Sequence, residues 1–182
     1  MNLSKAFNQL TERRYSPRQF SDRPITQEVL LEIISAVRQA PSSFNEQPWR
    51  FIYALKSGES GYEDLLSCLN EKNQTWAVQA PALMLGIAKT TFSSSDKPNR
   101  HAWYDTGAAV GMMTLKATAL DVFVHQMAGF DASRAQKVLQ IPDGYEPVAM
   151  IAMGYLDDEQ KPEKPRRSLE EIAFAGRWKS GA

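Results

Sequence analysis

Apolar residues recur along the chain with two different periods, and the switches between them mark its elements. Leu3, Phe7 and Leu10 fall on one face of a helix over residues 3–12. The run RRYSPRQFSDRPI then breaks the pattern with two prolines and predicts a loop. Thr26 stands as an N-cap ahead of Val29, Leu30, Ile33, Ile34 and Val37, again at helical spacing, and Pro41 ends that helix. WRFIYAL (49–55) predicts a strand. GYEDLLSCLNEKNQTW (61–76) predicts a helix broken before or near Asn73, and APALMLGIAK (80–89) a buried strand introduced by proline.

DTGAAVGMMTLKATALD (105–121) predicts the most apolar helix, with Gly107, Ala108 and Gly111 giving it a small-residue face suited to close helix packing. VFVHQM (122–127) predicts a short strand, Asp131 caps a helix over 131–141, and PVAMIAMGYL (147–156) is a second continuous buried strand. From Asp157 the chain becomes a polar, proline-bearing arm with one short helix around Leu169 to Phe174. The sum is an α+β chain with three or four strands and no internal repeat. It is expected to form one domain over residues 1–182, with a C-terminal arm of about 157–182 packed across something, a partner subunit being one candidate.

Composition narrows the partners. Twenty-one basic and 21 acidic residues cancel, so no global field draws the chain to nucleic acid or to an anionic membrane. The basic cluster KPRRS (164–168) is too short to change that. The single Cys68 excludes an intramolecular disulfide and a cysteine metal site, and its place beside Leu65, Leu66 and Leu69 predicts a core position. No apolar run approaches the ~20 residues of a membrane span, and the first residues lack the apolar centre of a signal peptide. The expected location is the cytoplasm.

Hydrolytic and metal chemistry find little support. Ser42 and Ser43 lie in no G-x-S-x-G turn, and His101 and His125 have no ligand spacing. His125 reads as a strand-end residue with a satisfied hydrogen bond. GAAVG sits within a helix with no preceding strand, so it is not a phosphate loop. Arg14, Ser16 and Arg18 alternate along an extended, proline-stiffened segment and project the same way. Two guanidinium forks and a hydroxyl suit a phosphate, and they equally suit a solvated polar loop. The Arg pair in PRRS (165–168) carries the same two readings. PSSFNEQPWRF (41–51) is too polar for a core, yet too specific in its side chains for a plain linker.

Taken in order, these motifs resemble the nitroreductase family of FMN enzymes. They are Arg-x-Ser-x-Arg at 14–18, P-S-S-x-N-x-Q-P-W at 41–49, Asn73 ahead of APALML, AGFD at 128–131, the Arg pair at 166–167 and GRW at 176–178. The resemblance runs from about Arg13 to Trp178. It implies a nitroreductase-like α+β fold, with a central mostly antiparallel sheet flanked by helices, in an intertwined homodimer that exchanges C-terminal arms. Arg14, Ser16 and Arg18 match the family's phosphate contacts, and Arg166 and Arg167 the pair that closes on the same phosphate. Pro41, Ser42, Ser43 and Asn45 match the loop along the isoalloxazine ring. Asn73 matches the amide at its pyrimidine end, and Ala128 and Gly129 match the backbone near N5.

The resemblance further implies that no side chain is itself the catalyst, because the flavin carries the redox chemistry while the protein binds and orients it. NADPH or NADH is the implied reductant. A small electron-poor acceptor, such as a nitroaromatic or a quinone, is the implied substrate of a two-electron ping-pong cycle. Two positions depart from the family pattern. Trp76 stands where a basic residue is common, one turn after Asn73, and Ala128 where an acidic residue is common. These departures keep a second reading open, a non-catalytic flavin-binding module that retains the fold. Phe44 and Glu46 are left unassigned, with the substrate and the partner subunit both open as neighbours.

Overall fold

The computed structural model describes residues 2–57, 61–158 and 161–178; positions 159–160 and 179–182 of the expected arm lie outside the described residues. In chain order the elements are α1 (Leu3–Arg13), α2 (Gln27–Ser35), β1 (Trp49–Leu55), α3 (Tyr62–Cys68), α4 (Glu71–Ala77), β2 (Ala82–Lys89), α5 (Ala102–Ala119), β3 (Phe123–Met127), α6 (Ala132–Val138), β4 (Tyr145–Gly154) and α7 (Leu169–Ile172). Short 3-10 turns follow α2 at Ala36–Gln39 and occupy Ser43–Asn45. The strands form one four-stranded sheet in the order β1-β2-β4-β3, and every pairing is antiparallel.

Both faces of this sheet are covered, which is why β2 and β4 read as continuous apolar runs and not as alternations. Met84, Ile151 and Met153 face a cluster with Leu30 and Ile33 of α2 and Val110 and Met113 of α5. Leu83, Leu85, Met150 and Ala152 face the other way, onto Leu65 of α3 and Ala135 of α6.

Local chemistry sets the helix ends. The Thr26 hydroxyl accepts from the Val29 N–H, and the Asp131 carboxylate accepts from the Arg134 N–H at 2.9 Å. The break in the 61–76 helix falls at Leu69 and Asn70, where Asn70 turns the chain and caps α4 by accepting from the Asn73 N–H at 2.9 Å. Helix α5 starts three residues before Asp105. Asn99 sets that earlier start, its carbonyl accepting from the Ala102 N–H at 3.1 Å and its side chain from the His101 N–H. Cys68 is fully buried, and burial pushes its thiol up, as befits a core residue.

One packing expectation fails within the chain. A Cβ built on Gly107 or Gly111 would meet nothing within 4 Å, so these glycines allow no close contact inside this chain. They lie on an open face of α5 that also carries Tyr104, 78% exposed, and Met112. The arm is open as well, with Leu169, Ile172 and Trp178 all exposed.

Candidate functional site

The segment after α1 has the predicted alternation. Tyr15 and Pro17 are buried, while Arg14, Ser16 and Arg18 face outward. Tyr15 tilts against Phe123 of β3 with ring centroids 5.2 Å apart, and the Pro17 carbonyl lies 2.7 Å from His125 Nδ1. Just upstream, Arg13 donates to the Asp121 carboxylate at 2.6 Å and to the Thr118 carbonyl, which ties α1 to the C-terminal end of α5.

Two cavities open on this segment. One, of about 350 Å³, is bordered by Arg14, Ser16, Lys161, Lys164 and Arg166. The other, of about 980 Å³, is bordered by Ser16, Arg18, His125, Asp158 and Lys164 among others. The arm therefore brings Arg166 to Arg14 and Ser16. Arg167 lines neither of these cavities; it sits 3.5 Å from Glu171, one helical turn on.

A second group forms where α4 meets the end of β3. The Gly129 carbonyl accepts from the Asn73 side-chain amide and from the Asn70 N–H, both at 3.0 Å. Residues Leu69 and Phe130 pair as an antiparallel bridge beside it. A Cβ on Gly129 would run into the side-chain amides of Asn70 and Asn73, so a side chain here would displace both amides. Ala128 is exposed next to it. Trp76, one turn beyond Asn73, lays its ring 4.6 Å from the His125 ring, and its indole N–H is buried with no hydrogen-bond partner among the described residues.

The 41–45 loop is built under backbone strain and lies elsewhere. Phe44, Asn45 and Gln47 all take left-handed conformations, with φ of 52°, 56° and 50°. The Ser43 N–H donates to the buried Asp105 carboxylate at 2.9 Å, and the Gln47 N–H donates to the Ser42 hydroxyl. Glu46 accepts from Ser93 and pairs with Lys89; the Ser93 hydroxyl holds its carboxyl below the usual range. Phe44 is 92% exposed and meets Phe92 edge-on.

Asp105 and Thr118 sit 13 residues apart on α5, or about 20 Å at the rise of a helix. Pro41, Ser42, Ser43 and Asn45 are thus at one end of α5, while Arg14, Ser16 and Arg18 are at the other.

The sequence pattern of the nitroreductase family matches residues 11–155. A 15.4 kDa protein of Mycolicibacterium smegmatis is 32% identical over 145 residues, covering 71% of this chain and 97% of its own length. The chain belongs to the nitroreductase family. An NADH dehydrogenase of Thermus thermophilus is similar at 26% identity, with 89% of this chain and 92% of that protein covered. The crystal structure of an oxidoreductase containing FMN superposes with a TM-score of 0.87 at 34% identity, over 93% of this chain and 91% of that one. These neighbours support an oxidoreductase with the nitroreductase fold. Among the described residues, no helix is long and apolar enough to cross a membrane.

This geometry draws in residues that the sequence does not mark as site residues. Lys164 is visible only as part of a short basic cluster, and Lys161 carries no signal beyond its charge. His125 is expected as a strand-end residue with a satisfied hydrogen bond, and the Pro17 carbonyl 2.7 Å away supplies it; that partner is what the pattern does not reveal. Asp105 offered one sign, an acidic residue in the first turn of a helix, where the helix dipole already accounts for it.

Proposed function

We propose that this nitroreductase-family chain is an FMN-dependent NAD(P)H oxidoreductase that works as a homodimer. The observation that carries the reading is the separation of the two candidate half-sites along α5. Two chains related by a two-fold axis, with their α5 helices antiparallel, would bring the 41–45 loop of one copy to the Arg14 end of the other. The open face of α5, with Tyr104, Gly107, Gly111 and Met112, supplies a surface for that contact. Beside it, Arg14 and Gln126 border a cleft of about 520 Å³ with Ala108 and Met112. The exposed Leu169, Ile172 and Trp178 suit an arm that packs on a partner, within one domain spanning residues 1–182.

The donor set fits FMN. Arg14, Ser16, Arg18 and Arg166 give a phosphate the charge-assisted hydrogen bonds it accepts, with Lys164 adding a cation. Arg167 joins them by leaving Glu171. Pro41, Ser42, Ser43 and Asn45 of the partner copy line the ring. Asn73 holds Gly129 and keeps its side-chain oxygen for the pyrimidine edge, and Ala128 and Gly129 present backbone beside it. Trp76 supplies a buried N–H that has no acceptor among the described residues. An orphaned buried donor costs about 1–3 kcal/mol, which a bound acceptor would recover.

When bound, the cofactor supplies two-electron chemistry, accepting hydride from NADPH or NADH and passing reducing equivalents to an electron-poor acceptor such as a nitroaromatic or quinone. The residues above would bind it and orient it. The reading involves no nucleic acid or membrane and places the enzyme in the cytoplasm. Initial rates of NADPH and NADH oxidation, measured with FMN-loaded protein against a quinone series, test it. Parallel double-reciprocal lines are expected; no acceptor-dependent oxidation of either nucleotide would contradict it.

A further inference from the structure

Alternate residues of β3 grip alternate residues of the Arg14–Arg18 segment. Phe123 packs on Tyr15, and His125 meets the carbonyl of Pro17 at 2.7 Å. Phe123 and His125 lie on the same side of the strand, and Tyr15 and Pro17 on the same side of the segment. Holding 15 and 17 inward is what leaves Arg14, Ser16 and Arg18 outward. The segment belongs to no helix or strand, so these anchors stand in for the ladder it lacks.

The chemistry of the second anchor is specific. A carbonyl oxygen only accepts, so the imidazole proton sits on Nδ1. Burial is the main cause that pushes the imidazole below its ordinary range; nearby Arg18 and Lys164 add to it, while the Pro17 and Ser16 carbonyls act the other way. Trp76 lies against the ring at 4.6 Å and limits its rotation. Asn73 projects from the same helix to Gly129, so α4 braces both candidate ends of the cofactor site.

We propose that His125 is a positioning residue for the phosphate end of the cofactor site, its Nδ1–H holding the Pro17 carbonyl so that Ser16 and Arg18 face the anion. This rests on the reading of the Arg14–Arg18 segment as the FMN phosphate site. His125 itself contacts no phosphate in this account.

The test compares FMN with riboflavin, which has the same ring and no phosphate, by flavin fluorescence quenching on the full-length chain. His125→Leu keeps bulk and removes the donor. It should weaken FMN roughly three- to tenfold, the worth of one net hydrogen bond, while leaving riboflavin unchanged. His125→Asn, whose amide places an N–H near the Nδ1 position, should restore FMN binding. His125→Gln, whose amide reaches the Nε2 position instead, should not. If the leucine variant fails to fold, the Asn and Gln pair carries the same comparison. Equal losses for FMN and riboflavin, or equal behaviour of Asn and Gln, would overturn the role of His125. Wild-type protein with no preference for FMN over riboflavin would overturn the phosphate site beneath it.

Discussion

Asn73 donates its side-chain amide to the carbonyl of Gly129 at 3.0 Å across 56 residues of sequence. The Asn70 N–H donates to the same oxygen, so both lone pairs of that carbonyl are taken. The end of β3 is thereby fastened to the first turn of α4, and a side chain at position 129 would meet the amides of Asn70 and Asn73. Gly129→Ala should therefore displace those two amides and break the Asn73–Gly129 hydrogen bond. The expected loss is about 1–3 kcal/mol in urea unfolding, as for other overpacked sites, with weaker retention of FMN. An alanine variant of unchanged stability would show that the turn yields freely.

Arg18 is exposed on the border of the larger cavity, so its removal should leave the fold intact and act on the cofactor. Arg18→Ala should cost about 1.5–3 kcal/mol of FMN affinity, roughly 10- to 100-fold, measured by equilibrium titration. Arg166→Ala should be more damaging than Arg167→Ala, because Arg166 already borders the cavity of Arg14 and Ser16 while Arg167 is paired with Glu171. Unchanged affinity in the Arg18 variant would remove that residue from the phosphate site.

Tyr62 gives the fold a signature in alkali. Its hydroxyl donates to the Ala80 carbonyl at 2.6 Å, and burial, with a smaller push from Glu63, raises its pKa to about 12. A tyrosine in the unfolded chain ionises near pH 10. Since the folded value is the higher one, the native state keeps a proton that the unfolded state releases. The contribution is complete below about pH 10 and is lost as pH rises through about 12. Tyr62→Phe should lose about 1 kcal/mol near neutrality and show a flatter decline in stability across that alkaline window. Parallel curves for the two proteins would contradict it.

Much of the framework is legible in the sequence because its causes are local. Thr26 and Asp131 announce helix starts through side chains that reach only three residues, and β2 and β4 announce themselves because both faces of the sheet are buried. The paired motifs around Arg14 and Pro41 point to a family through residue identity. What stays hidden depends on contacts distant in sequence. His125 meets Pro17 across 108 residues, and no periodicity in FVHQM or RRYSPRQF reveals it. The left-handed conformations at Phe44 and Gln47 are equally illegible, because these residue types do not favour them, and the bond that ties the loop to α5, from the Ser43 N–H to Asp105, spans 62 residues. Gly107 and Gly111 suggest close packing, but among the described residues nothing packs against them.

The central claim, that this chain holds FMN and reduces it with a nicotinamide, is tested most directly by one anaerobic titration. Protein loaded with FMN is mixed with NADPH or NADH, and the visible absorbance of the oxidised flavin is followed. The account predicts that this band bleaches on adding at least one of the two nucleotides and returns on adding a quinone. A bound flavin that neither nucleotide bleaches, or a chain that takes up no FMN, would contradict it.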